Sequence, residues 1–343
     1  FLHRIHTQKQ STDELCEVLI IVSLMKATAQ AYPIQGLIKY HGLRNTEYNI
    51  PYHDSISVCT APSKTRTTVE FGYRSDSCLV NGTEIDNEGY ERATTVLDRI
   101  RNLADIDTSA RVVSENTFES NVGLGASASA FAALTLAAAT AAKLNLSRKE
   151  LSAVARRGAT SAARSIAGGF SHLRSGQYDE NCVAEPIANS FHEDVRIVVG
   201  VVSQYKKTSR AHRETPQSHL FRGRLAYIHS ALAEMREAIQ NGDFESVFAL
   251  AEQDSLNLLA VTMTGPEGWI YWQPETLNLL LLAHRLRENG IPVFFSSDTG
   301  ATAYLNTTTE YADKVASEVE ALGIESRIWK VGGGAEIVDG HLF

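Results

Sequence analysis

The chain has 343 residues, of which 43% are hydrophobic, so it is long and apolar enough to bury the core of one large or two modest globular domains. Its 40 acidic residues outnumber its 32 lysines and arginines, which gives a formal net charge of −8. Nucleic-acid-binding proteins normally carry a basic patch, and this sequence contains no long basic run. The composition therefore predicts a globular protein that does not bind nucleic acid.

The N-terminal residues 1–24 are expected to form an extension outside the fold, because the first strand-like pattern begins at Met25 and Lys26. The apolar run VLIIVSLM at 18–25 is too short to span a bilayer, and it lacks the basic segment and cleavage site of a signal peptide. We therefore expect no membrane partner.

The cysteines are far apart in the sequence and show neither a CxxC motif nor a Cys/His spacing typical of zinc ligands. They are Cys16, Cys59, Cys78 and Cys182. This pattern indicates neither a disulfide framework nor a zinc site, and it predicts a reducing, cytoplasmic location.

Strand patterns dominate the start of the chain, at residues 27–40, 55–60 and 65–71. A helix at 90–103 and a strand at 111–114 follow. An alanine-rich helix then runs to Leu144. The sequence Ser147-Arg148-Lys149-Glu150 is a capping box, and we expect it to open a second small-residue helix that continues to Ile166.

The second half begins with a strongly apolar strand and then becomes mainly helical. Its predicted elements are a strand at 195–203, helices at 218–240, 243–263 and 274–288, strands at 293–296 and 301–305, a helix at 309–322 and a strand ending near 331. The order of elements predicts an α+β fold, which we divide into domains at 25–194 and 195–343.

The segment SENTFESNVGLGASASAFAAL at 114–134 joins a glycine-broken turn to a small-residue helix. Gly123 and Gly125 permit a close backbone approach, and Ser127 and Ser129 add hydroxyls where the first turn of the helix already favours an anion. The segment therefore indicates a binding site for the phosphates of a nucleotide triphosphate. A tight loop before a packed helix would need the same residues, so that alternative stays open.

Asp298 follows an apolar strand in SSDTGA, where Gly300 lets the turn fold back. A carboxylate held at a strand end can act as a general base, but the same pattern is typical of an Asx turn. Arg164 lies in a helix of small residues, with Ser161 one turn earlier on the same face. A buried guanidinium needs an anion, which can be a substrate or a structural partner.

Lys39 stands where an apolar strand runs into a loop and, taken alone, reads as an ordinary solvated lysine. The histidines, including His41 and His53, lack the spacing of zinc ligands, so we expect them to be hydrogen-bonded within the fold or exposed to solvent.

Several segments, in the same order along the chain, resemble the GHMP kinase superfamily and, within it, the mevalonate diphosphate decarboxylase branch. They cover residues 26–335 and are IKYHGLRN at 38–45, NIPYHDSISV at 49–58, VNG at 80–82, the glycine segment, ARRGATSAARSIAGGF at 155–170, DSLNLLA at 254–260, SSDTGATAY at 296–304 and VGGGA at 331–335. The resemblance implies a two-domain fold, with a ribosomal protein S5 domain 2-like N-terminal domain, a ferredoxin-like C-terminal domain and the active site between them.

The resemblance also implies site residues. Asp298 would orient or deprotonate the 3-hydroxyl of a mevalonate derivative, Arg164 would bind its carboxylate, and Lys39 is the third catalytic candidate. Substrate-binding candidates are Tyr40, Arg92, Ser161 and, in the loop at 204–217, Arg210. ATP would be cradled by Gly123, Leu124, Gly125, Ala126, Ser127 and Ser129, with Ser127 also near Mg²⁺, which would neutralise the phosphates.

The chain departs from the branch at several of these positions. His41 replaces a tryptophan, and Leu43 replaces a lysine that contributes to the clamp on the terminal phosphate. Glu119 stands where a loop proline is usual, and Ala159 and Thr160 occupy a Ser-Gly position. Losing a charged contact to a phosphate typically costs a few kcal/mol. This loss favours the 5-monophosphate, as in archaeal phosphomevalonate decarboxylases.

The sequence thus predicts ATP-dependent decarboxylation of (R)-5-phosphomevalonate to isopentenyl phosphate, in the mevalonate pathway of isoprenoid lipid biosynthesis. The same chemistry on the 5-diphosphate is the first alternative. A mevalonate 3-kinase is disfavoured by the retained Asp298, and a GHMP-fold sensor without catalysis is kept open by the acidic Glu119. A homodimer is expected from the resemblance.

Overall fold

The computed structural model describes residues 26–85, 87–118, 125–203 and 212–343. Its strands are β1 (Lys26–Ala31), β2 (Ile34–Ile38), β3 (Leu43–Asn45), β4 (Ile50–Pro51), β5 (Ser55–Ala61), β6 (Thr65–Tyr73), β7 (Ser77–Val80), β8 (Thr83–Glu84), β9 (Ser109–Asn116), β10 (Phe170–Leu173), β11 (Ala184–Pro186), β12 (Val195–Val201), β13 (Phe294–Ser297), β14 (Ala303–Thr308), β15 (Glu325–Val331) and β16 (Glu336–Ile337). Its α-helices are α1 (Asn87–Ala104), α2 (Ala126–Ala141), α3 (Arg148–Gly158), α4 (Ala162–Ala167), α5 (Phe221–Asn241), α6 (Phe244–Met263), α7 (Pro274–Glu288) and α8 (Ala312–Glu320).

The first layer is a sheet in the order β16-β1-β6-β9-β7-β8, with α1 to α4 packed on it. Helix α2 lies at the centre of this layer because its residues are small: Ala132, Ala133 and Ala137 are fully buried against the sheet and its neighbouring helices. A helix without a polar face can only be stable in such a position.

The second sheet has the order β11-β10-β5-β15-β12-β14-β13, and β2 pairs with β5. The unbroken apolar run predicted as a strand at 195–203 contains β12, which is buried on both faces. Ile197 and Val199 face a core shared with α5 and α6, whereas Val198 faces a core shared with α7 and α8. Helices therefore cover both faces of this sheet, as its continuous apolar pattern requires.

The two halves of the chain are interlocked. Strand β5 from the first half pairs with β15, through Ala61 opposite Lys330, so the second sheet contains strands from both halves. The C-terminal strand β16 returns to β1, where Ala29 is opposite Ile337. The division at residue 195 stays a proposal about folding units, and the extension predicted at 1–24 lies outside the described residues.

The helix predicted from Ser147 to Ile166 is not continuous. Its capping box is present, but α3 ends at Gly158, Ala159 is extended, and α4 begins only at Ala162. Gly158 packs so tightly on Phe131 that a Cβ atom would come within 2.2 Å of its ring. The strand predicted at 27–40 is likewise two strands, β1 and β2, separated at Tyr32 and Pro33. Within the described ranges, no helix is long and apolar enough to cross a membrane.

Candidate active site

A cavity of 640 Å³ is lined by residues from both halves of the chain. Its walls come from the end of β2, the start of α2, the break between α3 and α4, and the turn after β13. The predicted site residues that line it are Lys39, Tyr40, Arg92, Gly125, Ala126, Ser127, Ser161, Arg164 and Asp298. Side chains that are more than 250 residues apart in sequence, such as Lys39 and Asp298, therefore face one space.

Asp298 is held by two donors, one on β2 and one on β14. Its Oδ1 accepts a hydrogen bond from the backbone N–H of Gly36 at 2.9 Å, and the buried Tyr304 hydroxyl is hydrogen-bonded to its carboxyl group. Burial, reinforced by the Asp298 charge, raises the pKa of Tyr304 well above its usual range, so its hydroxyl acts as a donor. An Asx turn would use the carboxylate within its own loop, whereas this carboxylate oxygen binds another strand.

Arg164 is buried with only 3% of its surface exposed, and its Nε and Nη1 atoms have no hydrogen-bond partner among the described residues. Its guanidinium lies 5.4 Å from the centre of the Tyr40 ring. Burial lowers the pKa of Arg164, and the facing groups Tyr40 and Asp298 oppose that shift. Unpaired buried donors are costly, so this guanidinium is prepared to bind an anion in the cavity.

Lys39 is not the solvated lysine that its local pattern suggests. It is 5% exposed, and its Nζ donates to Ser255 Oγ at 2.9 Å and lies 3.7 Å from Asp254 Oδ2. Burial lowers the pKa of Lys39, while the carboxylates of Asp254 and Asp298 raise it. The sequence pattern around Lys39 could not indicate this environment, because α6 supplies it from more than 200 residues away.

The N-terminus of α2 opens on the cavity. Gly125 precedes it in the left-handed conformation with φ of 72°, and a Cβ there would lie 2.9 Å from the Ile34 carbonyl oxygen, so only glycine fits. Ala126 and Ser127 line the cavity beside the positive end of the helix dipole. The remaining predicted loop residues, Gly123, Leu124 and Glu119, lie outside the described residues, as does Arg210.

Ser129 does not line the cavity, so its position does not support the predicted ATP contact. Its side chain is fully buried, and its hydroxyl is hydrogen-bonded to Thr65 Oγ1 at 2.7 Å and to the Ala126 carbonyl at 3.2 Å. The hydroxyl is used within the fold because Ser129 sits on the sheet-facing side of the helix, half a turn away from Ser127.

Aromatic and basic side chains complete the wall near Lys39. Tyr40 stacks on His212 at 5.1 Å, and His41, which is 2% exposed, lies 4.9 Å from the same ring. His41 therefore faces the cavity and not bulk solvent. Arg92 donates from Nε to the Gly158 carbonyl at 2.7 Å, at the point where α3 ends.

Sequence reasoning missed several residues of this site. Gly36, Glu88, His212 and Arg213 line the cavity, and Tyr304 contacts Asp298 from within β14. The segment containing Tyr304 carried the resemblance, but a tyrosine in an apolar strand gives no sign of its hydrogen-bond partner.

A second cavity, of 790 Å³, lies beside the end of β9 and the strand β15. Its lining is mostly polar and aromatic: Pro62, Ser63, Asn81, Asn116, Thr117, Phe118, Arg327, Ile328 and Trp329. Within the described ranges, no group of three or more His, Cys, Asp or Glu side chains could hold a metal ion.

Comparisons with known proteins agree with the geometry. Residues 31–184 match the family model described as the diphosphomevalonate decarboxylase-like N-terminal domain, and residues 197–330 match the mevalonate 5-diphosphate decarboxylase C-terminal domain. The phosphomevalonate decarboxylase of Haloferax volcanii is 52% identical over 92% of this chain and 98% of its own length.

Solved structures give the same result for the fold. A mevalonate diphosphate decarboxylase from Enterococcus faecalis, described for its mevalonate diphosphate-mediated ATP binding, is 29% identical with a TM-score of 0.86 over 92% of this chain and 99% of that chain. A structure described as MDDEF in complex with MVAPP, AMPPCP and magnesium has the same identity, TM-score and coverage. These similarities confirm the predicted two-domain α+β fold of the GHMP kinase superfamily, and the chain belongs to the mevalonate diphosphate decarboxylase family.

Proposed function

We propose that this chain catalyses the ATP-dependent decarboxylation of (R)-5-phosphomevalonate, making isopentenyl phosphate, ADP, phosphate and carbon dioxide for isoprenoid synthesis. The observation that carries the proposal is that Asp298, Arg164 and Lys39 line the same cavity as the N-terminus of α2. The 52% identity to a phosphomevalonate decarboxylase supports the same activity. A cytoplasmic location and a homodimer stay predictions.

Asp298 and Arg164 suit successive parts of the reaction. Asp298, held by Gly36 and Tyr304, would orient or deprotonate the 3-hydroxyl as it attacks the γ-phosphorus of ATP. When phosphate then leaves C3, the same carboxylate would stabilise the positive charge that develops there. Arg164 would bind the substrate carboxylate through its unpaired donors and so align the C–C bond that breaks as carbon dioxide and the alkene form.

The phosphates of the nucleotide would bind at the N-terminus of α2. Ser127 and the backbone N–H groups at the start of α2 suit the phosphates, and the second cavity offers aromatic and amide side chains to the base. The relative in complex with AMPPCP and magnesium supports ATP and Mg²⁺ as ligands. Mg²⁺ would neutralise charge on the phosphates, and the Ser127 hydroxyl is the candidate protein ligand.

The cavity also favours one phosphate over two. Leu43 lines it at the position where the family carries a lysine, and Glu88 lines it with a carboxylate. A second phosphate near these side chains would lose a cationic partner and approach a negative charge. This arrangement supports the 5-monophosphate as substrate over the 5-diphosphate.

Incubation of the purified protein with ATP and each substrate, followed by mass spectrometry of the products, tests the proposal. We expect isopentenyl phosphate and a higher kcat/KM for the monophosphate. Leu43→Lys should shift the ratio of the two kcat/KM values toward the diphosphate by about tenfold or more. Leu322→Lys, at an exposed position outside the cavity, is the matched control and should leave the ratio unchanged.

A wild-type preference for the diphosphate would reject the proposed substrate. Release of ADP without carbon dioxide would identify a 3-kinase, and binding without ADP release would identify a sensor.

A further inference from the structure

The backbone of Lys39 is hydrogen-bonded to Asp254 and Arg224, which form an ion pair and do not line the cavity. Asp254, on α6, accepts the Lys39 backbone N–H through Oδ2 at 2.9 Å. Arg224, on α5, donates from Nη2 to the Lys39 carbonyl oxygen at 2.5 Å. The same Nη2 lies 3.0 Å from Asp254 Oδ1. The backbone N–H and carbonyl groups of Lys39 are therefore both hydrogen-bonded to the Asp254–Arg224 ion pair.

This pair is completely buried, with both side chains at 0% exposure. Burying two charges costs more free energy than a well-packed apolar pair, so a buried pair is a weak source of stability by itself. Neither side chain lines the cavity, which means that neither can contact the substrate. The contacts with Lys39 give the pair a route by which it can affect the reaction.

The Lys39 side chain is held by α6 and by β13. Its Nζ donates to Ser255 Oγ at 2.9 Å and to Ser296 Oγ at 3.4 Å, and it lies 3.7 Å from Asp254 Oδ2. Asp254 thus interacts with both the backbone and the ammonium group of Lys39. The backbone of Lys39 and its ammonium group both have fixed partners, which leaves the side chain little freedom to move.

We propose that Arg224 and Asp254 are positioning residues that fix the Lys39 ammonium at the reacting end of the cavity, a role that rests on the proposed function. Lys39 would bind the phosphoryl group while it is transferred to the 3-hydroxyl. Displacing a positioned group by about 1 Å can lower a rate by about a hundredfold, so a rigid support for Lys39 has a catalytic effect.

The charges that face Lys39 give this role a distinctive pH signature. They are the Asp254 carboxylate from α6, the Asp298 carboxylate from the turn after β13, and the Arg224 guanidinium from α5. Burial lowers the pKa of Lys39, Asp254 raises it and Arg224 lowers it. Loss of Asp254 should therefore move the alkaline limb of the kcat profile to lower pH, and loss of Arg224 should move it to higher pH.

The experiment compares Asp254→Asn, Arg224→Met and the double variant with the wild type. Kinetics with ATP and (R)-5-phosphomevalonate give kcat and KM across the pH range, and thermal unfolding gives Tm. The double variant removes the Arg224 and Asp254 charges together, so neither is left buried without the other, although the Lys39 ammonium loses its carboxylate partner. We expect it to fold with kcat about tenfold to a hundredfold lower, while the KM for ATP changes little.

Glu252→Gln is the matched control. Glu252 is a largely buried carboxylate on the same helix, but it pairs with Arg287 at 2.7 Å and does not line the cavity. It should lower Tm and leave both kcat and the alkaline limb unchanged.

A double variant with wild-type kcat and an unmoved alkaline limb would overturn the positioning role and leave a purely structural ion pair. A crystal structure of that variant gives a readout independent of turnover. We expect Lys39 Nζ to move by about 1 Å or more, and an unmoved Nζ would also overturn the role. The products of the wild-type protein test the proposed function separately. A failure of the positioning role can therefore be distinguished from a failure of the proposed function.

Discussion

At the scale of single residues, Asp298 is a proposed catalytic group whose carboxylate has fixed hydrogen-bond partners. Gly36 and Tyr304 hold its carboxylate, and Arg164 faces it across the cavity. Asp298→Asn keeps the size of the side chain and an acceptor for the Gly36 N–H, but it removes the negative charge and the base. We expect kcat to fall on the order of 10³-fold while Tm changes by less than about 3 °C.

Steady-state kinetics and thermal unfolding check this prediction. Asp313→Asn, at an exposed site in α8, is the control and should keep wild-type turnover. Near-normal activity of the Asp298 variant would remove this carboxylate from the mechanism.

Residue-level prediction from the sequence depended on motifs. Asp298 and Arg164 were identified because each lies in a segment shared with the family, and the cavity brings them together. The burial of Lys39 was not predictable, because its partners Asp254 and Ser255 come from a helix that begins more than 200 residues later. A motif indicates which residue is present, whereas its ionisation environment depends on tertiary packing.

At the scale of elements, β2 brings the backbone of Gly36 against two proposed catalytic side chains. A Cβ at this position would lie 2.8 Å from Lys39 Cγ and 2.9 Å from Asp298 Oδ1. Gly36→Ala should therefore push both side chains from their positions and lower kcat by about tenfold or more, because misplacement of about 1 Å is enough for such a loss.

Kinetics and circular dichroism of the variant test this expectation. Gly223→Ala in α5 is the control, since a Cβ there meets nothing within 4 Å and alanine favours the helix. The control should keep full activity with equal or higher stability. If Gly36→Ala also kept full activity, β2 would not set the geometry of the site.

The boundaries of elements show why local patterns have limits. The capping box at Ser147 fixed the start of α3 correctly, because a cap is a local interaction. The end of α3 was predicted eight residues too late, because Gly158, where the helix ends, contacts Phe131 and Arg92 of other helices, and such contacts give no local sequence signal. That early end matters for the site, since it lets Thr160 and Ser161 line the cavity.

At the scale of the whole molecule, pairing between β5 and β15 and between β1 and β16 joins the two halves. The order of elements predicted the α+β class, but it gave no information on these pairings, which connect strands that are hundreds of residues apart. The interlocked sheets explain how the cavity can draw its walls from both halves. They also imply that a buried group at the junction affects the stability of the complete fold.

His53 is such a group. It is 8% exposed, and its Nδ1 hydrogen-bonds to the Asp54 carbonyl oxygen at 2.7 Å. Burial, together with the Arg224 charge from the second half, lowers the pKa of His53 to about 4. The usual value in an unfolded chain is about 6.5, so between these two values the unfolded chain binds a proton that the folded protein excludes.

Stability from His53 is therefore complete above pH 6.5 and is lost as the pH falls toward 4, by about 3 kcal/mol in total. His53→Phe removes this titration. The free energy of unfolding of the variant should therefore depend less steeply on pH between about 6.5 and 4, even if the substitution changes the stability by a constant amount at every pH. Urea unfolding at a series of pH values measures both slopes. His229→Phe, at an exposed position on α5, should keep the wild-type slope. Equal slopes for His53→Phe and the wild type would mean that the imidazole takes up its proton in the folded protein as readily as in the unfolded chain, and that the junction between the halves does not exclude the charge.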